Sequence, residues 1–169
     1  MKTRAHVVAL ISVVMLVSCG PSRELKDHLA RFVHDAARLV ALTSQGVSYN
    51  NFGDQLATVR ADFDLLSMTW PPKYNPRAKA EFKAAMLGWE LVHEVWTSNL
   101  ERPGNDELTA AKYPELIEAV NAYAPEKVPL MPPEQTRGWK TTSLSFQATI
   151  RVLMSEATRH FNSGIGLTR

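Results

Sequence analysis

The chain has 169 residues, of which 45% are hydrophobic, 19 are lysine or arginine, 17 are aspartate or glutamate, and one is cysteine. This composition excludes collagen-like, disulfide-rich and highly charged disordered proteins, and the length is sufficient for one domain with its own core. The formal net charge of +2 comes from Lys2 and Arg4. Residues 19–169 are therefore balanced in charge, and we expect no nucleic-acid partner.

The N-terminus has the pattern of an export signal. Lys2 and Arg4 precede an apolar run over residues 7–17 that only Ser12 interrupts. A positively charged start followed by an apolar run of this length is typical of a secretory signal peptide, and the run is too short for a permanent membrane span. We therefore expect residues 1–18 to be a signal peptide and residues 19–169 to form a single helical domain.

The single cysteine directly follows this signal. Leu16-Val17-Ser18-Cys19 resembles the lipobox of bacterial lipoprotein precursors, in which a leucine lies three residues before the cysteine and a small residue precedes it. The resemblance implies that Cys19 becomes the first residue of the mature chain, carries acyl groups and anchors the protein in a membrane of the cell envelope. Because Gly20 rather than aspartate follows, the family's sorting rule implies the periplasmic face of the outer membrane in a Gram-negative cell. The alternative is an ordinary secreted protein with a free thiol near its start.

Two amphipathic helices are predicted to form an antiparallel hairpin after the signal. Ser22 is a good N-cap for a first helix over residues 23–45, and Gly46 is placed to end it in a left-handed conformation. Ser48 can cap a second helix, which Trp70-Pro71-Pro72 ends because neither proline continues a helix. A connection of only about three residues requires the two helices to be antiparallel neighbours.

Two further long helices complete the predicted fold. Asn75 and Pro76 begin a helix that runs to about residue 101, and the last helix is predicted over residues 139–162 with Gly164 just past its end. The connector between them, residues 102–138, contains a short helix over residues 114–123 and no strand, and it either packs along the bundle or forms a binding loop. The sequence therefore predicts an all-α fold, a four-helix bundle of the up-down type with this connector between helices 3 and 4.

One helix carries a spacing that is used in metal-binding bundles. Glu90 and His93 lie three residues apart on one helix face, as in di-iron carboxylate proteins, and His160 on the last helix could add a third ligand. Such sites need a second Glu-x-x-His motif, which this sequence lacks. The pattern favours a core histidine at position 93 and no cofactor, with a metal- or small-ligand-binding bundle that uses Glu90, His93 and His160 as the alternative.

No sequence motif for catalysis is present: there is no Gly-x-Gly-x-x-Gly, no phosphate-binding loop and no Gly-x-Ser-x-Gly elbow. We therefore expect a protein without enzymatic activity. Aromatic residues beside proline-rich stretches favour recognition of a protein partner, with Trp70, Tyr74 and Trp139 as candidate binding residues. The leading hypothesis is a lipid-anchored structural or protein-interaction module with an envelope protein as its partner. A carrier for an apolar ligand would need a cavity, which the bulky residues between the predicted helices disfavour.

Overall fold

The protein is mostly helical. The computed structural model describes residues 21–101, 107–128 and 143–169, and this part of the chain is 78% helix. The all-α prediction is confirmed at this level. In chain order the elements are α1 (Arg23–Ser44), α2 (Tyr49–Thr69), α3 (Pro76–Leu100), β1 (Glu107–Thr109), α4 (Pro114–Tyr123), β2 (Ser143–Ser145) and α5 (Phe146–Thr168).

Side-chain caps determine where the first three helices begin. The Ser22 hydroxyl accepts a hydrogen bond from the Leu25 N–H at 3.1 Å, and the Ser48 hydroxyl caps α2 in the same way. The Asn75 side chain caps α3, and Pro76 occupies its first turn, where the missing N–H breaks no helical hydrogen bond. The predicted starts of these helices are confirmed, as are both ends of the short helix α4.

A tight turn joins α1 to α2. Gly46 has a φ of +82°, which lies in the left-handed region that glycine adopts without strain. The predicted end of α1 is thereby confirmed. The two helices that this turn joins pack along each other, and α3 makes its most extensive contacts with α5.

The start of the last helix differs from the prediction. The predicted start at residue 139 lies outside the described residues, and α5 begins at Phe146 with Ser145 as its cap. The preceding residues form β2, which pairs antiparallel with β1 so that the fully buried Leu144 lies opposite the fully buried Leu108. The prediction that the connector contains no strand was therefore wrong. Strands of three residues are too short to show an alternating pattern in the sequence.

The end of α5 also lies beyond the predicted one, because Gly164 does not terminate the helix. The helix continues through it to Thr168. A Cβ on Gly164 would lie 2.5 Å from Cε1 of Phe82, so glycine is needed here for the close contact between α5 and α3. Glycine at this position therefore serves the packing of α5 against α3, although its place in the sequence suggested the end of a helix.

An aromatic cluster joins the four long helices. The ring of Phe32 on α1 lies 5.5 Å from that of Phe63 on α2, 5.2 Å from that of Phe82 on α3 and 6.2 Å from that of Phe161 on α5, measured between centroids. The ring planes of Phe32 and Phe82 meet at 77°, an edge-to-face geometry that aromatic pairs prefer. Because Phe32 is fully buried among these three rings, we identify it as the centre of the core.

Candidate functional site

The residues of the predicted metal site have separate partners. Oε1 of Glu90 lies 2.8 Å from Nη2 of Arg60, and Nδ1 of His160 lies 2.6 Å from Oε2 of Glu81. Since Glu81 and Glu90 are nine residues apart on α3, the two pairs are separated by about 13 Å along the helix axis. Within the described ranges, no three His, Cys, Asp or Glu side chains are placed to hold a metal ion. The structure therefore does not bring Glu90, His93 and His160 together.

His93 belongs to an aromatic stack between α2 and α3. Its ring centroid lies 5.0 Å from that of Tyr49 and 6.5 Å from that of Phe52, with interplanar angles of 19° and 18°. Gly53 leaves room for the imidazole, because a Cβ at that position would lie 3.2 Å from Nε2 of His93. The side chain of His93 thus serves the packing of these two helices.

The predicted binding residues at the α2–α3 turn offer little free surface. Trp70 is only 5% exposed. Its ring packs 6.2 Å from that of Phe82 and 5.7 Å from that of Tyr74, and its indole N–H donates to the Tyr74 carbonyl. Trp70 therefore covers the end of the core, and Tyr74 beside it is half-buried. Trp139 and the predicted anchor Cys19 lie outside the described residues.

A pair of carboxyl groups lies between α1 and α2. Asp62 is only 7% exposed and lies close to the carboxyl group of Asp35, and its Oδ2 has no hydrogen-bond partner among the described residues. Burial raises the pKa of Asp62, and the neighbouring Asp35 raises it further. Burial alone would also raise the pKa of Asp35, but hydrogen bonds with Asp62 and His34 outweigh it and hold that pKa below its usual value. Asp62 is therefore the member of the pair that retains its proton longer as the pH rises.

We expect Asp62→Asn to stabilise the protein by about 1 kcal/mol at neutral pH, because the amide keeps a donor towards Asp35 and removes a buried charge. Because the pKa of Asp62 is raised in the folded state, its contribution to the free energy of unfolding is fully present below the ordinary aspartate pKa of 3.8 and is lost as the pH rises through the pKa of the folded state. The gain in stability from Asp62→Asn should therefore vanish in acid. Urea unfolding between pH 3 and 8 measures this pH dependence. Asp64→Asn, at an exposed position two residues along α2, is the control, and an equal gain in that variant would contradict the interpretation.

An open groove of about 680 Å³ lies between the C-terminal end of α1, α3 and α5. Its volume is within the range of small-molecule sites, about 300–1,000 Å³. Each of the three helices contributes apolar side chains to the walls, as does the turn after α1. These side chains are Val40 on α1, Val47 in the turn, Val92 and Trp96 on α3, and Ile150 and Met154 on α5. We identify this groove as the candidate functional site.

The groove is separate from the face of α5 that forms the core. The buried residues Leu153, Ala157 and Phe161 lie on one side of the helix, while Ile150 and Met154 belong to a neighbouring stripe. Residues three and four positions apart share one face of a helix, so this second stripe lines the groove continuously over about three turns. Hydroxyl and amide side chains surround the apolar walls, and they include Thr43, Ser44, Asn99, Gln147, Ser155 and Thr158.

Arg151 is the only formally charged residue among the described residues that line the groove. It is exposed, and among the described residues it makes no ion pair. Within residues 21–101, 107–128 and 143–169, no aspartate or glutamate side chain lines the groove. The site thus combines apolar walls with a single positive charge. This arrangement can bind an apolar group.

Comparison with known proteins gives no further assignment. The chain has no significant match to a family model, to a curated protein or to a solved structure. The function must therefore be inferred from the sequence and from the geometry of the site.

Proposed function

We propose that this protein is a lipid-anchored, non-catalytic component of a bacterial envelope that binds an apolar group in the groove between α1, α3 and α5. The observation that carries the proposal is the groove itself, with its apolar walls on three helices and its polar margin. The resemblance of residues 16–19 to a lipobox supports the anchor at Cys19. Among the helices of the described ranges, none is both long and apolar enough to cross a bilayer.

We further propose that the four long helices form an up-down bundle with the groove at the end remote from the anchor. Two hydrogen bonds support an antiparallel arrangement of neighbouring helices. The Asn75 amide donates to the Leu167 carbonyl and so joins the start of α3 to the end of α5. The Tyr49 hydroxyl lies 2.8 Å from that of Thr97 and so joins the start of α2 to the end of α3. The residues of α1 that line the groove begin at Val40. At 1.5 Å per residue they lie about 25 Å along the axis from the start of α1. A domain anchored just before α1 would therefore present the groove away from the membrane.

The anchor is tested by Cys19→Ala in the full chain. We expect this variant to lose labelling by palmitate and to leave the membrane fraction or to accumulate in an unprocessed form, because the acyl chains provide the attachment. Cell fractionation and metabolic acyl labelling measure these changes. Unchanged acylation and fractionation in the variant would contradict the anchor.

Binding in the groove is tested with the neutral apolar dye Nile red on residues 19–169 carrying Cys19→Ser. We expect saturable binding with an increase in fluorescence, and we expect Met154→Arg to weaken it at least about tenfold, because a charge is then buried in the apolar walls. Met68→Arg introduces the same change at a position of α2 that is 82% exposed and remote from the groove, and should bind as the parent does. Equal binding by both variants would show that the dye binds elsewhere.

A further inference from the structure

We infer that the natural occupant of the groove is a single-chain anionic amphiphile of the fatty-acid type, held with its chain against the apolar walls and its head group beside Arg151. This inference rests on the proposed function and names the class of ligand. Three features of the groove support it: its elongated shape, the charge of its lining and the state of the carbonyl groups at the end of α1.

The shape of the groove suits an extended chain. Its wall on α5 runs from Gln147 to Thr158, which corresponds to about 16 Å along the helix axis. Ile150 and Met154 lie one turn apart within this wall, and Trp96 faces the same space from α3. A long apolar strip with flexible methionine and flat tryptophan surfaces adapts to a chain without requiring one fixed outline.

The charge of the lining selects the head group. Among the described residues that line the groove, Arg151 has no acidic neighbour, whereas Arg159, two turns further along α5, has Glu156 within 3.0 Å of its Nε. A carboxylate on the ligand can form the paired hydrogen bonds with a guanidinium that Arg151 does not form within the described protein. A cationic head group would meet a like charge at Arg151.

Most of the carbonyls near the end of α1 are already hydrogen-bonded. Helix C-termini normally attract positive groups through their unpaired carbonyls. Here the hydroxyls of Thr43 and Ser44 donate to the carbonyls of residues 40 and 41 at 2.7 Å, and the N–H groups of Gln45 and Gly46 donate to those of residues 42 and 43. These four carbonyls therefore add little attraction for a cation, and the charge of Arg151 decides which head group is preferred.

The test compares three ligands of equal chain length, laurate, dodecanol and dodecyltrimethylammonium, in displacement of Nile red below their micelle-forming concentrations. We expect laurate to bind at least about tenfold more tightly than the other two, which corresponds to one charge-assisted hydrogen-bonded pair. Arg151→Gln should remove this preference and leave the affinity for dodecanol unchanged, and Arg151→Lys should retain part of it. Arg77→Gln makes the same change in charge at an exposed position outside the groove and should have no effect.

Each outcome bears on one of the two proposals. If Nile red binds in the groove but laurate and dodecanol bind equally, or Arg151→Gln leaves the preference intact, the inference about the head group is overturned while the proposed function stands. If neither the dye nor any of the three amphiphiles binds, the proposed function fails. If sedimentation shows a dimer that Met154→Arg dissociates, a second copy of the chain occupies the groove and the amphiphile is excluded.

Discussion

Phe32→Ala should lower the free energy of unfolding by about 3–5 kcal/mol, because it removes a fully buried ring and leaves a cavity at the point where the four long helices meet. The rings of Phe63, Phe82 and Phe161 would each lose an aromatic neighbour. Urea unfolding followed by circular dichroism at the helix band measures the loss.

The control for this experiment is Met68→Ala. Met68 is 82% exposed, so its truncation should change the stability by less than about 0.5 kcal/mol. If Phe32→Ala cost less than about 1 kcal/mol, the four helices would not be joined through this cluster and the core described above would be incorrect. A loss confined to part of the helical signal would indicate that the helix pairs α1–α2 and α3–α5 unfold separately.

Gly88→Ala should cost about 2–3 kcal/mol, although alanine is normally the better helix former. A Cβ at Gly88 would lie 2.8 Å from Cβ of Ala157 on α5, and it would overlap the hydroxyl end of Tyr123 on α4. All three groups are held by helix packing, so the added methyl group forces α3, α4 and α5 apart. The matched control is Gly166→Ala on α5, where nothing lies within 4 Å of the new Cβ and a gain of about 0.5 kcal/mol is expected.

A second substitution identifies the cause of that loss. Tyr123 has a buried hydroxyl with no hydrogen-bond partner among the described residues, and burial raises its pKa, so the group remains protonated. Tyr123→Phe should therefore cost little by itself and should recover part of the stability lost in Gly88→Ala. Strictly additive effects in the double variant would show that Tyr123 does not set the spacing at Gly88.

The sequence allowed the first three helices and the short helix α4 to be predicted because their boundaries depend on local chemistry. Ser22, Ser48 and Asn75 each cap a helix with their own side chain, and Gly46 supplies the left-handed conformation of the turn. These interactions involve residues within a few positions of each other, and their patterns can be read directly from the chain.

The errors arose where a residue's role depends on a distant neighbour. Gly164 resembles a helix stop until Phe82 is seen to pack against it. Leu108 and Leu144 become strand residues only because they meet across 36 positions of sequence.

The groove was not predicted because bulky residues between helices were expected to fill the available space. Ile150 is partly buried and lines the groove, whereas Leu153, three residues further along α5, is fully buried. The spacing of Ile150, Met154 and Thr158 was visible in the sequence as a second stripe on the last helix. Whether this stripe faces the core or a groove depends on how α1 and α5 are placed relative to each other, and no local sequence pattern determines that placement.

The central claim, that this groove binds an apolar group, is tested most directly by photocrosslinking in cells that produce the full chain. A fatty acid with a photoactivatable group in its alkyl chain is supplied, and mass spectrometry locates its adducts. We predict adducts on residues 40–47, 92–99 and 147–158, their loss in Met154→Glu and their retention in Met68→Glu. Adducts spread over exposed apolar residues such as Leu65 and Leu87, and unchanged by Met154→Glu, would contradict the proposed function.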